Sequence, residues 1–353
     1  MQASPAAKES AVSFEYLREI PGPEEIRDAI PLPGHLKRAK EQRDREISAI
    51  FRQESDRFFL VIGPCSADNE DAVCEYVSRL AGLQEEVKDR LLLIPRIYTN
   101  KPRTTGQGYK GMVHQPDPHK QPNIVEGLRA IRHMHLRALK ESGLPAADEM
   151  LYPGNLPYLE DLLSYVAVGA RSVENQQHRL TVSGMDVPAG MKNPTSGDIS
   201  VMFNSVYAGQ QPHVFIYNGW EVRTSGNPFT HAILRGAVDI TGRNIPNYHY
   251  ENLLAVAREY AARDLAYPLI VVDTNHSNSD KQYREQPRIG MEVMQSRKHS
   301  PLLGRLIKGL MIESYLVEGA QKIDGNTYGK SITDPCLGWK QTEAFVRRLA
   351  EAV

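Results

Sequence analysis

The sequence predicts an α/β fold, a (β/α)8 TIM barrel with an N-terminal extension and a β-hairpin insertion before strand six. From residue 58 onward, short apolar runs alternate with stretches of helical periodicity, and eight such units favour a barrel over a doubly wound sheet. The length of 353 residues suits either two average domains or one large α/β barrel. No glycine-rich phosphate loop stands between a strand and a helix, which weakens a nucleotide-binding interpretation.

The N-terminal segment, residues 1–57, is predicted to form an arm and a helix. The arm is Pro-rich, and residues 36–52 have the pattern of a charged helix with few apolar positions. Such an arm is either mobile or docked on a neighbouring subunit, and we expect contacts between subunits here. Residues 58–353 are expected to form the catalytic barrel. The arm has one apolar cluster, at Phe14, Tyr16, Leu17 and Ile20.

Eight apolar segments are predicted as the barrel strands, because each is short, apolar and followed by turn or helix signals. Helical spacing of apolar residues separates several of them, as from Val73 to Leu83. The segment 213–228 breaks the alternation, and Asn218-Gly219 within it indicates a hairpin excursion. The predicted strands are 58–66, 91–98, 146–151, 166–173, 187–193, 231–237, 268–276 and 308–314.

The composition excludes several classes of partner. Lys and Arg number 42 against 43 Asp and Glu, so a net charge of −1 gives no field that would attract nucleic acid or an anionic membrane. No apolar run approaches the roughly 20 residues of a membrane span, and the N-terminus lacks the pattern of a secretion signal. Three cysteines do not suggest a disulfide scaffold. We therefore expect a cytoplasmic protein whose anion sites are local.

Ionisable side chains follow nearly every predicted strand. In a barrel the C-terminal strand ends converge on one mouth, where active sites are found. The side chains at these ends should therefore meet. In strand order they are Cys65; Arg96 with Lys101 and Arg103; Glu149; Arg171; Lys192; Arg235; Asp273 with His276; and Glu313.

One side of this mouth is predicted to bind a metal ion. Closure of the barrel places strands seven, eight and one side by side, which brings His276, Glu313 and Cys65 together. Asp334, in the loop after strand eight, can join them. A thiolate, an imidazole and two carboxylates suit a divalent transition metal ion, without choosing among Mn, Fe, Co and Zn.

The other side is predicted to bind anions. Six cations around one mouth would repel each other without anionic ligands. Guanidinium forks and adjacent threonine hydroxyls, as in the stretch 95–105, suit phosphate oxygens. The set suits two phosphorylated substrates, or a phosphate, a carboxylate and a second phosphate. These residues indicate a metal-dependent barrel enzyme that joins or cleaves small phosphorylated acids, and leave the reaction open.

The chain resembles the metal-dependent, type I 3-deoxy-D-arabino-heptulosonate 7-phosphate (DAHP) synthases. The resemblance implies the first step of the shikimate pathway of aromatic amino-acid biosynthesis. In that step phosphoenolpyruvate condenses with erythrose 4-phosphate and water to give the product and phosphate. The matching stretches within 58–353 are IGPCS, KPRTT, GLPAA, GAR, KN, ILRG, NHSNSDKQ, IESYLVEG and YGKSITDPCLGW.

The resemblance also implies roles for individual residues. The implied metal ligands are Cys65, His276, Glu313 and Asp334. The groups implied for phosphoenolpyruvate are Arg96, Lys101, Arg171, Lys192 and Arg235, with His276 as a further substrate contact. The clamp implied for the aldose phosphate is Arg103 and Thr104. The implied catalytic groups are Lys101, Cys65, His276, Asp334 and Glu149.

Departures from the family pattern leave three hypotheses open. Asn100 replaces the usual acid before the motif lysine, and the loop at 106–108 is one residue longer than usual. Pro157 and Asp186 differ from what a feedback pocket for an aromatic amino acid would need. The main hypothesis is a DAHP synthase with altered feedback, acting as a homodimer or homotetramer. A synthase for a different aldose phosphate and a catalytically dead regulatory barrel are the alternatives.

Overall fold

Eight parallel strands form the central sheet of the protein. The computed structural model describes residues 14–103 and 105–353. Each predicted strand segment overlaps one strand, which confirms the predicted succession, but the fourth strand begins earlier than predicted, at Leu163 rather than at residue 166. The strands are β1 Phe58–Gly63, β2 Leu91–Pro95, β3 Ala146–Glu149, β4 Leu163–Val168, β5 Ala189–Lys192, β6 Thr230–Leu234, β7 Ile270–Asp273 and β8 Ile307–Glu313.

The sheet is closed into a barrel. Each strand pairs in parallel with its neighbours in chain order, and β1 pairs with both β2 and β8. The seam between β2 and β3 is a single parallel bridge between Arg96 and Ala147. The Ile97 amide continues it by donating to the Ala147 carbonyl at 2.9 Å. The predicted (β/α)8 class is therefore confirmed.

Helices follow most of the strands and begin at side-chain caps. Asn69 and Asn123 accept hydrogen bonds from the first turns of α3 and α4, and α4 ends at Gly143 in the left-handed conformation. After β3 the connection is a 3-10 turn, Pro153–Tyr158. The helices are α1 Pro23–Ala29, α2 Gly34–Phe51, α3 Glu70–Val87, α4 Ile124–Ser142, α5 Gln176–Val182, α6 Ile199–Gln210, α7 Tyr250–Ala261, α8 Gln286–His299, α9 Pro301–Leu306 and α10 Trp339–Ala352.

Helix α2 covers the N-terminal end of the barrel, which we call the floor. It lies where the sequence indicated a charged helix, and its few apolar residues are buried. The Phe51 ring lies 5.9 Å from the Phe59 ring and 5.5 Å from the Phe229 ring, centroid to centroid. These contacts join a buried cluster inside the barrel that extends up to Tyr98, below the opposite end.

The hairpin predicted before strand six is present between α6 and β6. Its strands are Val214–Tyr217 and Trp220–Arg223, paired antiparallel. Asn218 and Gly219 form the turn with φ of 49° and 79°, which a two-residue hairpin of this twist requires. Among the described residues, no helix is long and apolar enough to cross a membrane.

Candidate active site

The C-terminal ends of the strands surround a cavity of about 440 Å³, which we call the mouth. Glu313 lies at its edge, buried, and pairs with Arg96. Thr104 lies outside the described residues. The other predicted site residues all line the cavity: Cys65, Arg96, Lys101, Arg103, Glu149, Arg171, Lys192, Arg235, His276 and Asp334.

Lys101 joins two of the predicted metal ligands. Its Nζ lies 2.7 Å from both Cys65 Sγ and Asp334 Oδ2, and these two atoms are 3.4 Å apart. Cys65 follows Gly63 at the end of β1, where a Cβ would lie 2.2 Å from the Arg96 carbonyl oxygen. Only glycine lets the ends of β1 and β2 approach this closely. The loop after β2 therefore brings Lys101 directly over Cys65.

Arg96, Glu313 and His276 form a second group beside the first. Arg96 Nη1 donates to Glu313 Oε1 at 2.7 Å, and His276 Nε2 lies 3.8 Å from the same oxygen. His276 Nδ1 lies 2.9 Å from Asp273 Oδ2, but the two atoms are not aligned as a hydrogen bond. The backbone of His276 has φ of 53°, a strained conformation for this residue. Such strain is concentrated at functional sites.

The four predicted metal ligands reach one side of the mouth as two pairs, Cys65 with Asp334 and His276 with Glu313. Within residues 14–103 and 105–353, no three such side chains already form a compact ligand cluster. Lys101 bonds to the first pair, and Arg96 to the second. Thiolate, imidazole and carboxylate donors are nevertheless a mixed set that divalent transition metals accept. The chemistry of the donor set therefore fits one such ion.

The other side of the mouth carries cations that are buried but only partly neutralised. Lys192 Nζ lies 3.3 Å from Glu149 Oε2 and 3.6 Å from Asp273 Oδ2. Arg235 is 8% exposed, and its guanidinium donates one hydrogen bond, to Ser277 Oγ at 3.3 Å. Arg171 is exposed at the rim. Buried guanidinium and ammonium groups aimed at one cavity form a site for anions.

The charges in the mouth stabilise one another's ionised forms. Burial would raise the pKa of Glu149, but Lys192 and Arg96 hold that pKa below its ordinary value. Burial also opposes ionisation of Asp334, and Lys101 outweighs it, so the pKa of Asp334 is lowered. Burial, with Glu313 second, raises the pKa of Cys65 to about 11. The carboxylates are therefore ionised at neutral pH, whereas Cys65 is a thiol until a metal ion binds its sulfur.

The sequence analysis did not predict several residues at the mouth, among them Tyr98 and Lys281. The Tyr98 ring lies beneath the cations, 4.0 Å from Arg96 Cζ and 5.7 Å from Lys192 Nζ. The sequence could have predicted Tyr98, because it lies two residues after Arg96 in a predicted strand and side chains two residues apart face the same side. Lys281 also lines the cavity. It stands within the NHSNSDKQ stretch, but its position depends on the turn after His276, which no periodicity describes.

A larger cavity lies elsewhere in the described structure. It measures about 1060 Å³ and lies between α2, α5 and the hairpin. Asp186 lines it, whereas Leu156 rather than Pro157 does so in the neighbouring turn. None of the described residues predicted for catalysis or for metal or substrate binding reaches it. The smaller cavity at the mouth is therefore the candidate active site.

The fold and this mouth define a class, the (β/α)8 barrel enzymes that act on small anionic substrates. A family profile, "DAHP synthetase I family", matches residues 38–347. The Phe-sensitive phospho-2-dehydro-3-deoxyheptonate aldolase of Escherichia coli (strain K12) is 37% identical over 348 residues, 96% of each chain. The Trp-sensitive enzyme of the same strain is 38% identical over 317 residues, 88% of each chain.

A solved structure agrees with these sequence matches. The phospho-2-dehydro-3-deoxyheptonate aldolase from Francisella tularensis superposes with a TM-score of 0.88 at 33% identity, over 97% of this chain and 98% of that one. The chain belongs to the DAHP synthetase I family, and it is an enzyme of that family. The resemblance drawn from its motifs is thereby confirmed.

Proposed function

We propose that the mouth condenses phosphoenolpyruvate with erythrose 4-phosphate and water, giving DAHP and phosphate, the first step of aromatic amino-acid biosynthesis. The observation that carries this proposal is the composition of the mouth. The buried cations Lys192 and Arg235 share one cavity with Cys65, His276 and Asp334. Arg96 also lines this cavity and bonds to Glu313 at 2.7 Å. The relatives described above all bear the name of this activity.

Phosphoenolpyruvate would lie along the cation side. Arg96 and Lys101, beside β1 and β2, are placed to hold its carboxylate. Lys192 ends β5, Arg171 and Arg235 follow β4 and β6, and these three residues would hold its phosphate. Charge-assisted hydrogen bonds from such groups fix orientation as well as affinity. The C3 carbon would then face the donor side of the mouth, where the aldehyde must bind.

One divalent ion, held by Cys65, His276, Glu313 and Asp334, would polarise the aldehyde oxygen when bound. Burial opposes the charge of Lys101, but the negative charges around it, Asp334 and Glu313 among them, outweigh burial and raise its pKa, so Lys101 stays charged. It supplies a fixed cation between the two halves of the mouth. Glu149 is ionised, as shown above, and is the base placed to accept a proton from the water that attacks C2.

The aldose phosphate would enter over the loop after β2. Arg103 lines the mouth there, and its Nε donates to the Tyr109 carbonyl at 2.8 Å. This bond folds the loop back on itself and leaves the other guanidinium nitrogens of Arg103 able to meet a phosphate. Thr104, outside the described residues, completes the clamp that the family resemblance implies.

The test is an acceptor comparison with purified protein, Mn²⁺ and saturating phosphoenolpyruvate. Phosphate release and product mass are measured with erythrose 4-phosphate and with arabinose 5-phosphate. Turnover at least a hundredfold more efficient with erythrose 4-phosphate is expected. Preference for the longer aldose would replace the proposal with a different synthase, and turnover of neither would leave a catalytically dead barrel.

The metal assignment has its own test. Cys65→Ala should lower bound metal, measured by elemental analysis, together with activity, because the thiolate is one of the four proposed ligands. Cys74→Ala is the matched control, since Cys74 is a buried residue of α3 and does not line the mouth. A Cys65→Ala protein that keeps full metal content would refute the assignment.

Residues 1–57 and the hairpin are proposed to form contacts between subunits of a homodimer or homotetramer. Tyr16 is 96% exposed and Trp220 is 73% exposed. Large apolar side chains that are exposed in a single chain often mark a surface that another subunit covers. Light scattering on a Trp220→Ser variant tests this. A smaller assembly than that of the wild type is expected, and a monomeric wild type would refute it.

A further inference from the structure

The barrel is weakest in backbone pairing at the seam between β2 and β3. β1 and β2 pair continuously from Phe58 with Leu91 to Ile62 with Pro95, whereas the seam is the bridge of Arg96 with Ala147. Beyond that bridge the chain leaves the sheet. We call residues 99–113 the acceptor loop, which contains Lys101 and Arg103.

A buried carboxylate takes over where the backbone pairing ends. Asp148 in β3 is 5% exposed, and Thr99 is fully buried. Asp148 Oδ1 accepts from the Thr99 amide at 2.9 Å and from the Glu149 amide at 2.7 Å, and Oδ2 accepts from the Thr99 hydroxyl. A buried carboxylate is costly unless it is well bonded, so this residue has a specific task. It fastens the acceptor loop to β3.

Thr99 is also the point where both ends of the acceptor loop meet. The Val113 amide donates to the Thr99 carbonyl, and the Lys101 amide donates to the Lys110 carbonyl at 3.0 Å. Gly111 has φ of 101°, and a Cβ there would lie 2.4 Å from the Thr99 carbonyl oxygen. The beginning and the end of the acceptor loop are thus both packed against Thr99. Whatever fixes Thr99 fixes the base of the whole loop.

His135 on α4 completes the surroundings of Asp148. Its Nε2 lies 3.8 Å from Asp148 Oδ2, and it is 2% exposed. In the part of the chain that the structure describes, neither ring nitrogen has a hydrogen-bond partner. The carboxylate is therefore enclosed between α4 and the acceptor loop, with Thr99 as its only bonding partner from that loop among the described residues.

We propose that Asp148 and Thr99 are positioning residues that hold the acceptor loop, and with it Arg103, in place for the aldose phosphate. This inference rests on the proposed function. The Lys101 ammonium is fastened separately, by Cys65 and Asp334, so loss of the Thr99 bonds leaves it in place. The hydrogen bond that the described structure gives Arg103 is to the Tyr109 carbonyl in the same loop, and the Tyr109 hydroxyl has only a long bond, 3.4 Å, to Ala67 outside it. The position of Arg103 therefore depends on how the loop is held. The aldose is therefore the substrate that the pair affects.

The test compares Thr99→Val, which removes only the hydroxyl, with Thr99→Ser, which keeps it. We expect Thr99→Val to raise the KM for erythrose 4-phosphate about tenfold, and Thr99→Ser to remain within twofold of the wild type. The Kd of phosphoenolpyruvate should stay within twofold in both, since Arg96, Arg171, Lys192 and Arg235 lie outside the loop. An unchanged KM in folded Thr99→Val would overturn the inference, and so would an equal rise in both constants.

The Asp148→Asn variant provides a second, independent test. It keeps an oxygen for the Thr99 and Glu149 amides but loses the carboxylate, so a smaller rise of the aldose KM is expected. Combined with Thr99→Val, its effect should not add, because both changes remove the same bond. Full additivity would contradict the pairing.

Amide hydrogen exchange over 99–113 separates this inference from the proposed function. It should speed up in Thr99→Val relative to Thr99→Ser even if the wild type turns over no erythrose 4-phosphate. Failure of the wild type to turn over the aldose overturns the proposed function alone. Unchanged exchange overturns the loop-holding role alone.

Discussion

At the floor of the barrel the strands begin among aromatic side chains, whereas at the mouth they end among buried ions. The floor places Phe51 of α2 against Phe59 and Phe229. The mouth places Arg96 against Glu313, both almost fully buried, a short distance above the same interior cluster. One continuous core therefore separates two ends of opposite character.

The difference assigns stability to one end and function to the other. A buried aromatic ring stabilises the fold by about 2–3 kcal/mol relative to an exposed one. A buried ion pair must first overcome the cost of removing both charges from water, and often contributes no net stability. The mouth is thus an arrangement that the floor and the interior cluster must hold in place. Substitutions at the two ends should have separable effects.

The largest expected effect belongs to the floor. Phe51→Ala should lower the free energy of unfolding by about 3–5 kcal/mol, because it opens a cavity between α2 and the rings of Phe59 and Phe229. Below its melting temperature the variant should keep kcat within twofold. Denaturant melts and assays at 15 °C measure both quantities. Phe14→Ala is the control, since Phe14 is 79% exposed and its loss should cost under about 0.5 kcal/mol.

The next effect belongs to the mouth and has the opposite pattern. Arg235→Gln should lower kcat/KM about 10²–10³-fold, because a buried group that faces the substrate's negative charge is lost. Its Tm should stay the same or rise, since burial disfavours the charge of Arg235 and lowers its pKa. Arg243→Gln, on the exposed loop nearby, should change neither value. If Arg235→Gln lowered the Tm as much as Phe51→Ala does, the proposal that the floor provides stability and the mouth provides function would be contradicted.

A smaller effect appears at the floor as the pH falls. Burial lowers the pKa of His231 to about 4, and the ring accepts or donates a hydrogen bond with the Tyr165 hydroxyl at 2.7 Å. The unfolded pKa is about 6.5, so the folded state binds fewer protons between the two values. Stability is therefore present above pH 6.5 and lost as the pH falls toward 4, by roughly 2–3 kcal/mol.

The matched variant for this effect is His231→Gln, which keeps a hydrogen-bonding group beside Tyr165 but does not titrate. The difference in unfolding free energy between the wild type and this variant should shrink between pH 7 and pH 4. A constant difference would show that His231 does not couple folding to protons.

Much of the mouth was predictable because its residues follow the periodicity of the chain. Strand ends such as Arg96, Lys192 and Glu313 are fixed once the apolar runs are recognised, and closure of the barrel then brings them together. The role of Lys101 was not predictable in the same way. It bonds to Asp334, 233 residues away in the chain, through a loop whose path depends on Asp148 and Gly111. Contacts of this kind depend on tertiary packing rather than on local pattern.

The contacts at the floor were even harder to predict from the sequence. The sequence marked Phe51 as one apolar position in a charged helix, and did not show that α2 would cover the barrel. Its partner Phe229 lies just before β6 and carries no distinguishing signal. Packing of a helix across a barrel end brings together positions that no single period connects.

The central claim is that the cations of the mouth form the phosphoenolpyruvate site, and equilibrium binding of phosphoenolpyruvate tests it most directly. Calorimetric titration should show one site per chain in the wild type and in Phe51→Ala at 15 °C. Arg235→Gln should bind at least tenfold more weakly. Equal affinity of Arg235→Gln and the wild type would contradict the account, as would weakened binding in folded Phe51→Ala alone.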